Sequence, residues 1–337
     1  MPIFKVNKMA RISSEKLDRL LQTVLIMHGF SKQNAKSLAE QTVLTEELGQ
    51  SNAGVVRIFD YIEGSKNGRI NGRAEPDVSH PAPSMIHVNG NGGLAQTGFD
   101  CVFDEIVLTA KKLGTCIFLH KNATTCGSLS SFVVRLADQG LVSFAATNGS
   151  PLLTGSGSTN PIFCTNPMAF SVPQFRGVPL IIDQSSSETA YSNIKAAAEK
   201  GEKIPVGWAM DQYGKPTTDP KTALEGSLLP FGGSRGANIA LMVELLAAGL
   251  SGSNWSIDAP SFDSGDTCPG TGLFILAITP APLDDSFTLR IRKYLERISK
   301  LFGVYLPGIK KGEARNKAAE QGLIIDDKLI KRLEEYS

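Results

Sequence analysis

Apolar positions near the start of the chain follow a helical period. Behind Ser13, the apolar side chains of residues 17–25 lie at the spacing of one helix face, and Gly29 supplies a C-terminal stop. Ser31 can cap a second helix, which Gly49 ends. The first part of the chain therefore predicts two amphipathic helices.

The pattern changes to short strands in the middle of the chain. Asparagine–glycine turn signals around residues 67–72 and a proline-rich connector over residues 76–83 separate the two parts. Beyond them, apolar runs of strand length alternate with glycine-rich turns. The clearest predicted strands cover residues 85–88, 115–119, 141–146, 167–172, 179–182 and 274–278. The later predicted helices cover residues 97–112, 128–138, 190–200, 285–301 and 328–336.

Helices thus dominate both ends of the chain, and strands dominate its centre. We predict a mixed α/β (α+β) fold in which residues 1–80 and 285–337 form a helical domain. Residues 81–284 form a sheet-rich domain.

Charge and hydropathy exclude several classes of protein. The 34 lysine and arginine residues nearly balance 33 aspartate and glutamate residues, so there is no charge excess for nucleic-acid binding. The longest apolar helix candidate, residues 237–250, is too short for a bilayer and contains Glu244, so we expect no membrane partner. The first eleven residues lack the apolar core of a signal peptide.

The five cysteines and four histidines limit the available chemistry. The cysteines are odd in number and widely spaced, which predicts no disulfide framework and a reducing, cytoplasmic location. No cysteine or histidine group has metal-ligand spacing, so we predict no metal site. His120 and Cys126 flank a polar loop after an apolar strand, but a structural histidine and an inert thiol are equally compatible with that position.

Two glycine-containing segments are candidates for anion binding. The loop of residues 230–236 leads directly into a helix, where free amides and Arg235 favour an anion. Taken alone, it can also be a plain loop, and the basic segment at 307–311 can be a charged surface turn. The GxGxxG fingerprint of an ordinary Rossmann domain is absent.

A series of motifs in the second half of the chain is specific in combination. It comprises TNPMAF at 165–170, GWAMD at 207–211, GKPTTDP at 214–220 and LLPFGG at 228–233, followed by ALMVELL at 240–246. With these motifs the chain resembles the malate/L-lactate dehydrogenase family that lacks a Rossmann fold. The resemblance extends from about residue 12 to residue 325.

The resemblance implies an activity, a cofactor and an assembly. It implies that the sheet-rich domain of residues 81–284 is largely antiparallel and binds NAD(P) and substrate, beside a helical domain, and it implies a homodimer. It also implies hydride transfer between NADP or NAD and a small 2-oxo acid, 2-hydroxy acid or cyclic imine. NADP is preferred because Arg235, Lys310 and Lys311 can neutralise an additional phosphate.

Site residues carry over from the family motif by motif. Arg57 matches the arginine that binds the substrate carboxylate, a task that suits its bidentate fork. Thr165, Tyr191 and Ser192 match positions that contact the substrate. The positions that match cofactor contacts are Thr125, Cys126, Gly127, Ser128, Leu129, Asp183, Gln184, Ser185, Ser234, Arg235, Pro307, Gly308, Ile309, Lys310 and Lys311.

The chain departs from the family at its proton relay. Asn52 and Ala53 stand where relatives have serine and a proton-donating histidine, and Asn193 stands where an aspartate assists that histidine. The later His-Phe-Gly signature reads Thr125-Cys126-Gly127. No relay position therefore holds a group that titrates near neutral pH.

This loss has three possible consequences. The protein can favour the imine of a 2-oxo acid, since hydride delivery to a protonated imine needs no additional acid. It can instead be a 2-hydroxy acid dehydrogenase with another donor, for which Tyr191 or a bound water are candidates. It can also be a catalytically silent relative that only binds nicotinamide. The retained Arg57 favours an enzyme.

Overall fold

The computed structural model describes residues 9–337, so the signal-peptide prediction falls largely outside the described residues. The helices are α1 (Ser14–Met27), α2 (Lys32–Glu47), α3 (Ile58–Lys66), α4 (Ala95–Asp100), α5 (Phe103–Leu113), α6 (Leu129–Asp138), α7 (Tyr191–Lys200), α8 (Pro220–Leu224), α9 (Ser234–Glu244), α10 (Phe287–Phe302), α11 (Ile309–Gln321) and α12 (Asp327–Glu335). The strands are β1 (Met9–Ile12), β2 (Asp77–Ala82), β3 (Met85–Gly93), β4 (Thr115–Ala123), β5 (Val142–Thr147), β6 (Leu153–Thr154), β7 (Pro161–Phe163), β8 (Met168–Val172), β9 (Leu180–Gln184), β10 (Ala209–Met210), β11 (Pro216–Thr217), β12 (Ser227–Leu228), β13 (Thr271–Ile278) and β14 (Leu323–Asp326). None of the helices in residues 9–337 combines the length and the apolar run that a membrane crossing needs.

The two predicted N-terminal helices are confirmed together with their caps. The Ser13 hydroxyl accepts a hydrogen bond from the Lys16 amide at 3.2 Å, and the Ser31 hydroxyl accepts one from the Asn34 amide at the same distance. Each cap satisfies an amide that the first helical turn leaves without an acceptor.

The main sheet of the described chain has the strand order β2-β3-β4-β13-β5-β8-β9. Its neighbouring strands run antiparallel except for β3 and β4, which run parallel. This arrangement confirms the predicted α/β fold with a mostly antiparallel sheet. A smaller sheet, β11-β10-β12-β6-β7, lies on the part of the chain that carries α7 and α8.

Helices cover both faces of the main sheet. On one face, the rings of Phe118 on β4 and Phe132 on α6 pack edge-to-face against Phe99 on α4, with centroid distances of 5.7 and 5.1 Å. On the other face, Leu119 on β4 packs in a cluster with Val243 on α9. Phe118 and Leu119 are adjacent and point to opposite faces because side chains alternate along a strand.

The two ends of the chain meet in a separate hydrophobic core. Strands β1 and β14 pair antiparallel, with Ile12 opposite Leu323. Leu17 and Leu21 of α1 are buried in the same cluster as Leu333 of α12. The predicted division into two domains, with bounds at residues 80 and 285, stays a prediction.

The prediction of a proline-rich connector at residues 76–83 is wrong. Residues Asp77–Ala82 form β2, an edge strand that pairs with β3. The register shifts between Ser79 and Ala82, and this irregularity accommodates Pro81, which has no amide hydrogen to donate.

Two helical predictions also need correction. The helix predicted at 97–112 is broken at Cys101 and Val102 into α4 and α5. The 307–311 segment is not simply a surface turn, because α11 begins at Ile309 and continues to Gln321. The apolar pattern missed α11 because Gly312 and Ala318 are its buried residues.

Candidate active site

A cleft of about 370 Å³ opens beside the carboxyl ends of β4, β5 and β9. Loops that follow these strands supply part of its wall. The turn before α3, the first turns of α7 and the segments around Thr165 and Phe262 supply further parts. The sequence-predicted residues that line it are Asn52, Ala53, Arg57, Thr125, Cys126, Gly127, Thr165, Ser185, Tyr191 and Ser192.

Arg57 is presented to this cleft by a short 3-10 turn, Val55–Arg57. The buried carboxylate of Glu46 accepts a hydrogen bond from the Val55 amide at 2.8 Å. Gly54 is needed there, because a Cβ at that position would lie 2.1 Å from Glu46 Oε1. A buried helix residue thus sets the direction of the turn that carries the arginine.

Two contacts orient the guanidinium of Arg57. Its Nε donates to the Asn52 carbonyl at 3.1 Å, and its Nη1 donates to Asp60 Oδ2 at 3.1 Å. A guanidinium has five N–H bonds, so others remain for a ligand carboxylate. The arrangement is that of a pre-oriented carboxylate clamp.

The relay positions divide between the cleft and the surface. Asn52 and Ala53 line the cleft beside Arg57. Asn193 is exposed, does not line the cleft, and donates from Nδ2 to Thr189 Oγ1 at 3.0 Å. The role of each of these residues stays a prediction.

The loop of Thr125, Cys126 and Gly127 is held by three helices. Tyr61 on α3 donates from its hydroxyl to the Thr125 carbonyl at 3.2 Å. Gln41 on α2 and Gln96 on α4 donate to the Cys126 carbonyl at 3.2 and 3.1 Å. Burial raises the pKa of the Cys126 thiol to about 12 and that of Tyr61 to about 12. The thiol therefore has little nucleophilic character.

Thr165 is fixed by its neighbour Asn166, whose φ of +37° places it in the left-handed region. The Asn166 side chain donates to the buried carboxylate of Glu244 at 2.8 Å. The Ser186 amide donates to the Thr165 carbonyl at 2.8 Å. Glu244 belongs to the ALMVELL motif, so this motif supports the TNPMAF turn.

Several residues predicted to contact the cofactor converge on Asp183 at the end of β9. Asp183 Oδ2 accepts from the Ser130 amide at 3.0 Å and from the Ser130 hydroxyl at 2.5 Å. Lys311 Nζ donates to the same hydroxyl at 2.7 Å and lies 3.8 Å from Asp183 Oδ2. Burial lowers the pKa of Lys311, while the charge of Asp183 opposes that change. We name Asp183, Ser130 and Lys311 the Asp183 cluster.

The start of α11 packs closely on the same strand. A Cβ at Gly308 would lie 2.6 Å from the Ile181 amide nitrogen, and the φ of Gly308 is +90°. The remaining predicted cofactor residues do not line the cleft; they are Ser128, Leu129, Asp183, Gln184, Ser234, Arg235, Pro307, Gly308, Ile309, Lys310 and Lys311.

The start of α9 adjoins the loop after β9 and fits a phosphate-bearing nucleotide. The Phe231 amide donates to the Ser186 carbonyl at 3.1 Å. The amides of Ser234 and Arg235 have no acceptor among the described residues, and there is open space at Gly232 and Gly233. Free amides at a helix N-terminus suit an anion such as a nucleotide phosphate.

The sequence-predicted set omits several residues of the cleft, among them Lys195, Phe262 and Asp263. Lys195 follows Tyr191 by four residues on α7, so the helical period placed both on one face. No sequence signal joined α7 to residues 262 and 263.

The chain is similar to proteins of one group over almost its whole length. A family model described as malate/L-lactate dehydrogenase matches residues 12–334. A Delta(1)-pyrroline-2-carboxylate/Delta(1)-piperideine-2-carboxylate reductase of Pseudomonas putida is 32% identical over 98% of this chain and 97% of its own. A (2R)-3-sulfolactate dehydrogenase (NADP(+)) of Chromohalobacter salexigens is also 32% identical, over 97% of this chain and 98% of its own.

A solved structure shares the complete fold. The crystal structure of delta1-piperideine-2-carboxylate reductase from Pseudomonas syringae pv. tomato matches with a TM-score of 0.93 and 30% identity. The match covers 97% of this chain and 100% of that one. Together with the family model, these relatives confirm the resemblance, and the chain belongs to the malate/L-lactate dehydrogenase family of NAD(P)-dependent oxidoreductases.

Proposed function

We propose that the protein uses a reduced nicotinamide nucleotide to reduce a cyclic imine of a 2-oxo acid to the corresponding amino acid. The observation that carries this proposal is the contrast within one cleft. Arg57 remains as the carboxylate clamp, while Asn52 and Ala53 beside it replace the titratable relay. The carboxylate of a substrate has its binding group, and the relay positions offer no acid.

The chemistry of the two substrate classes differs at the relay. Nicotinamide supplies a hydride to the carbon beside the carboxylate. Reduction of a ketone leaves an alkoxide, which needs a positioned acid that contributes about 10²- to 10⁴-fold in rate. Reduction of a protonated imine leaves a neutral amine. Loss of the relay therefore lowers the rate of an imine reductase less than the rate of a hydroxy acid dehydrogenase.

Both the cleft and the relatives support a ring-shaped substrate. Leu152, Tyr191 and Phe262 give the cleft an apolar part that suits the methylene groups of a ring. The Pseudomonas putida relative is named for pyrroline and piperideine carboxylates, which are cyclic imines with one carboxylate.

A substrate panel tests this function. We expect NADPH-dependent reduction of piperideine- or pyrroline-2-carboxylate with a kcat/KM at least about 10²-fold above that for pyruvate or oxaloacetate. Brisk oxidation of malate or lactate without imine turnover would instead indicate a 2-hydroxy acid dehydrogenase. Fluorescence-detected binding of NADPH without turnover of any substrate would indicate the silent relative.

The replacement Ala53→His gives a further test with the same substrates. It returns a titratable donor to the cleft beside an unchanged Arg57. We expect reduction of 2-oxo acids to rise relative to imine reduction, because the alkoxide then has an acid at the position where relatives have their proton-donating histidine.

NADP is the preferred cofactor within this proposal. Arg235 and Lys310 are exposed and have no ion-pair partner among the described residues, whereas Lys311 is bound in the Asp183 cluster. We expect NADPH to bind more tightly than NADH, and Arg235→Gln to weaken NADPH alone. Equal binding of both nucleotides would remove the preference.

We also propose that the protein is a homodimer and that it is located in the cytoplasm. Apolar side chains of Leu241, Leu245 and Leu250 are exposed around the end of α9 and the π-helical turn that follows it, which suits a subunit contact. Light scattering of the purified protein measures the mass directly, and a monomer at micromolar concentration would contradict the dimer.

A further inference from the structure

The ammonium group of Lys195 occupies a defined position in the cleft. Its Nζ lies 2.7 Å from Asp263 Oδ2, and its side chain is 34% exposed. The same Nζ lies 5.0 Å from the centre of the Tyr191 ring and 6.0 Å from that of Phe262. These two rings meet edge-to-face at 6.2 Å. One carboxylate and two rings therefore hold a cation at the wall of the cleft.

Asp263 keeps its charge at this position. Burial works against ionisation, but hydrogen bonds from Lys195 and Ser261 hold the pKa of Asp263 below its ordinary value. A partly exposed ion pair contributes little to stability. Its place among the residues that line the cleft suggests a role in the chemistry instead.

Four other ionisable side chains in the cleft, those of Tyr61, Tyr191, Cys126 and Arg57, are poor proton donors. The hydroxyl of Tyr61 is committed to the Thr125 carbonyl, and burial raises its pKa to about 12. Burial also raises the pKa of Tyr191 and of Cys126. An arginine such as Arg57 does not release its proton.

Lys195 has N–H bonds that it can donate to a ligand. An ammonium has three N–H bonds, and Asp263 is its hydrogen-bond acceptor among the described residues. Two N–H bonds are therefore available to a ligand, and the exposed part of the side chain can exchange protons with water.

We propose that Lys195 is the proton donor to the substrate nitrogen and that Asp263 positions it. This inference rests on the proposed imine reductase function. An N–H bond of the ammonium breaks, its electron pair stays on Nζ, and the proton bonds to the imine nitrogen. A hydride then bonds to the imine carbon, and the π electrons of the C=N bond become the lone pair of the amine nitrogen. Water returns a proton to Lys195, so imine, hydride and one proton give the amine.

Two substrates separate this role from a structural one. One is a cyclic imine carboxylate, which needs a proton, and the other is its N-methyl iminium analogue, which carries a permanent charge and needs none. We expect Lys195→Met to slow reduction of the imine by about 10²-fold at pH 8 and to leave reduction of the iminium within about twofold. Lys200→Met, an exposed residue of the same helix outside the cleft, serves as the matched control.

The same two substrates test the positioning role of Asp263. Asp263→Asn keeps the shape of the side chain and removes the carboxylate that accepts the hydrogen bond from Lys195 Nζ. We expect this variant to slow imine reduction by up to about 10²-fold and to leave iminium reduction within about twofold, because the iminium needs no proton.

Ligand binding tests the contact without turnover. Picolinate has a ring nitrogen that can accept a hydrogen bond beside its carboxylate, and benzoate has none. We expect picolinate to bind about tenfold more tightly than benzoate, and Lys195→Met to abolish the difference, since a hydrogen bond to a charged donor is lost.

The outcomes are distinct for the two proposals. No reduction of either substrate by the native protein overturns the imine reductase function. Equal slowing of both substrates by Lys195→Met overturns the donor role and leaves the function standing, as does an unchanged rate on the imine. An unchanged rate of imine reduction in Asp263→Asn, or equal slowing of both substrates, overturns the positioning role of Asp263.

Discussion

Two lysine–aspartate pairs in this protein have opposite surroundings. In the Asp183 cluster the lysine and aspartate side chains are 19% and 13% exposed, and Ser130 supplies additional hydrogen bonds. Lys195 and Asp263 are 34% and 40% exposed, and aromatic rings surround the ammonium. The less exposed pair joins α6, β9 and α11, whereas the ammonium of the more exposed pair has N–H bonds left for a ligand in the cleft. Lower exposure with hydrogen bonds to neighbouring elements favours a structural role, and higher exposure leaves a functional group available.

Removing the carboxylate of the Asp183 cluster has the largest expected effect. Asp183→Ala leaves the Lys311 charge without its counter-ion and the Ser130 amide without its acceptor. We expect the free energy of unfolding to fall by about 3–5 kcal/mol, measured by urea denaturation. A loss below about 1 kcal/mol would show that the cluster is not structural.

The arginine clamp is the next test, because Arg57 also belongs to a partly exposed pair in the cleft. Arg57→Lys keeps the charge and removes the bidentate fork. We expect kcat/KM to fall about 10- to 100-fold with an unchanged thermal midpoint. Steady-state kinetics and a melting curve measure both, and unchanged kinetics would contradict the clamp.

His120 shows what happens to a buried titratable group without a partner. Neither ring nitrogen has a hydrogen-bond partner among the described residues, and burial lowers the pKa of His120 to about 3. Between the unfolded value of about 6.5 and this value, only the unfolded state binds the proton.

We therefore expect stability to decline as the pH falls below about 6.5, by about 1.4 kcal/mol per pH unit from this group. Unfolding at several pH values measures the slope. In His120→Gln this contribution should disappear; the same slope in both proteins would assign it to other groups.

The smallest effect is expected at the exposed pair. Asp263→Asn should change the free energy of unfolding by less than about 1 kcal/mol, because solvent screens partly exposed charges. Denaturation beside Asp183→Ala, in the same buffer, makes the comparison direct. A loss as large as that of Asp183→Ala would remove the distinction between the two pairs.

Much of the cleft could be predicted because its residues belong to short local motifs. Arg57 lies in a turn that Gly54 makes possible, and Thr165 lies in a motif beside Asn166. The fold class followed from helix caps and apolar runs, which are signals within a few residues. The errors arose where partners are distant or apolar patterns are weak, as in α11 with its two buried small residues.

The amino-acid sequence alone determined the elements with strong local signals and the family. Tertiary contacts decided which charged groups meet: Lys311 joins Ser130 across 181 positions, and Lys195 joins Asp263 across 68. Helix caps and the periodicity of apolar residues depend on residues a few positions apart, so they can be recognised in the sequence. An ion pair depends on how strands and helices bring remote residues together and on how much water remains around them, and only the folded chain specifies both.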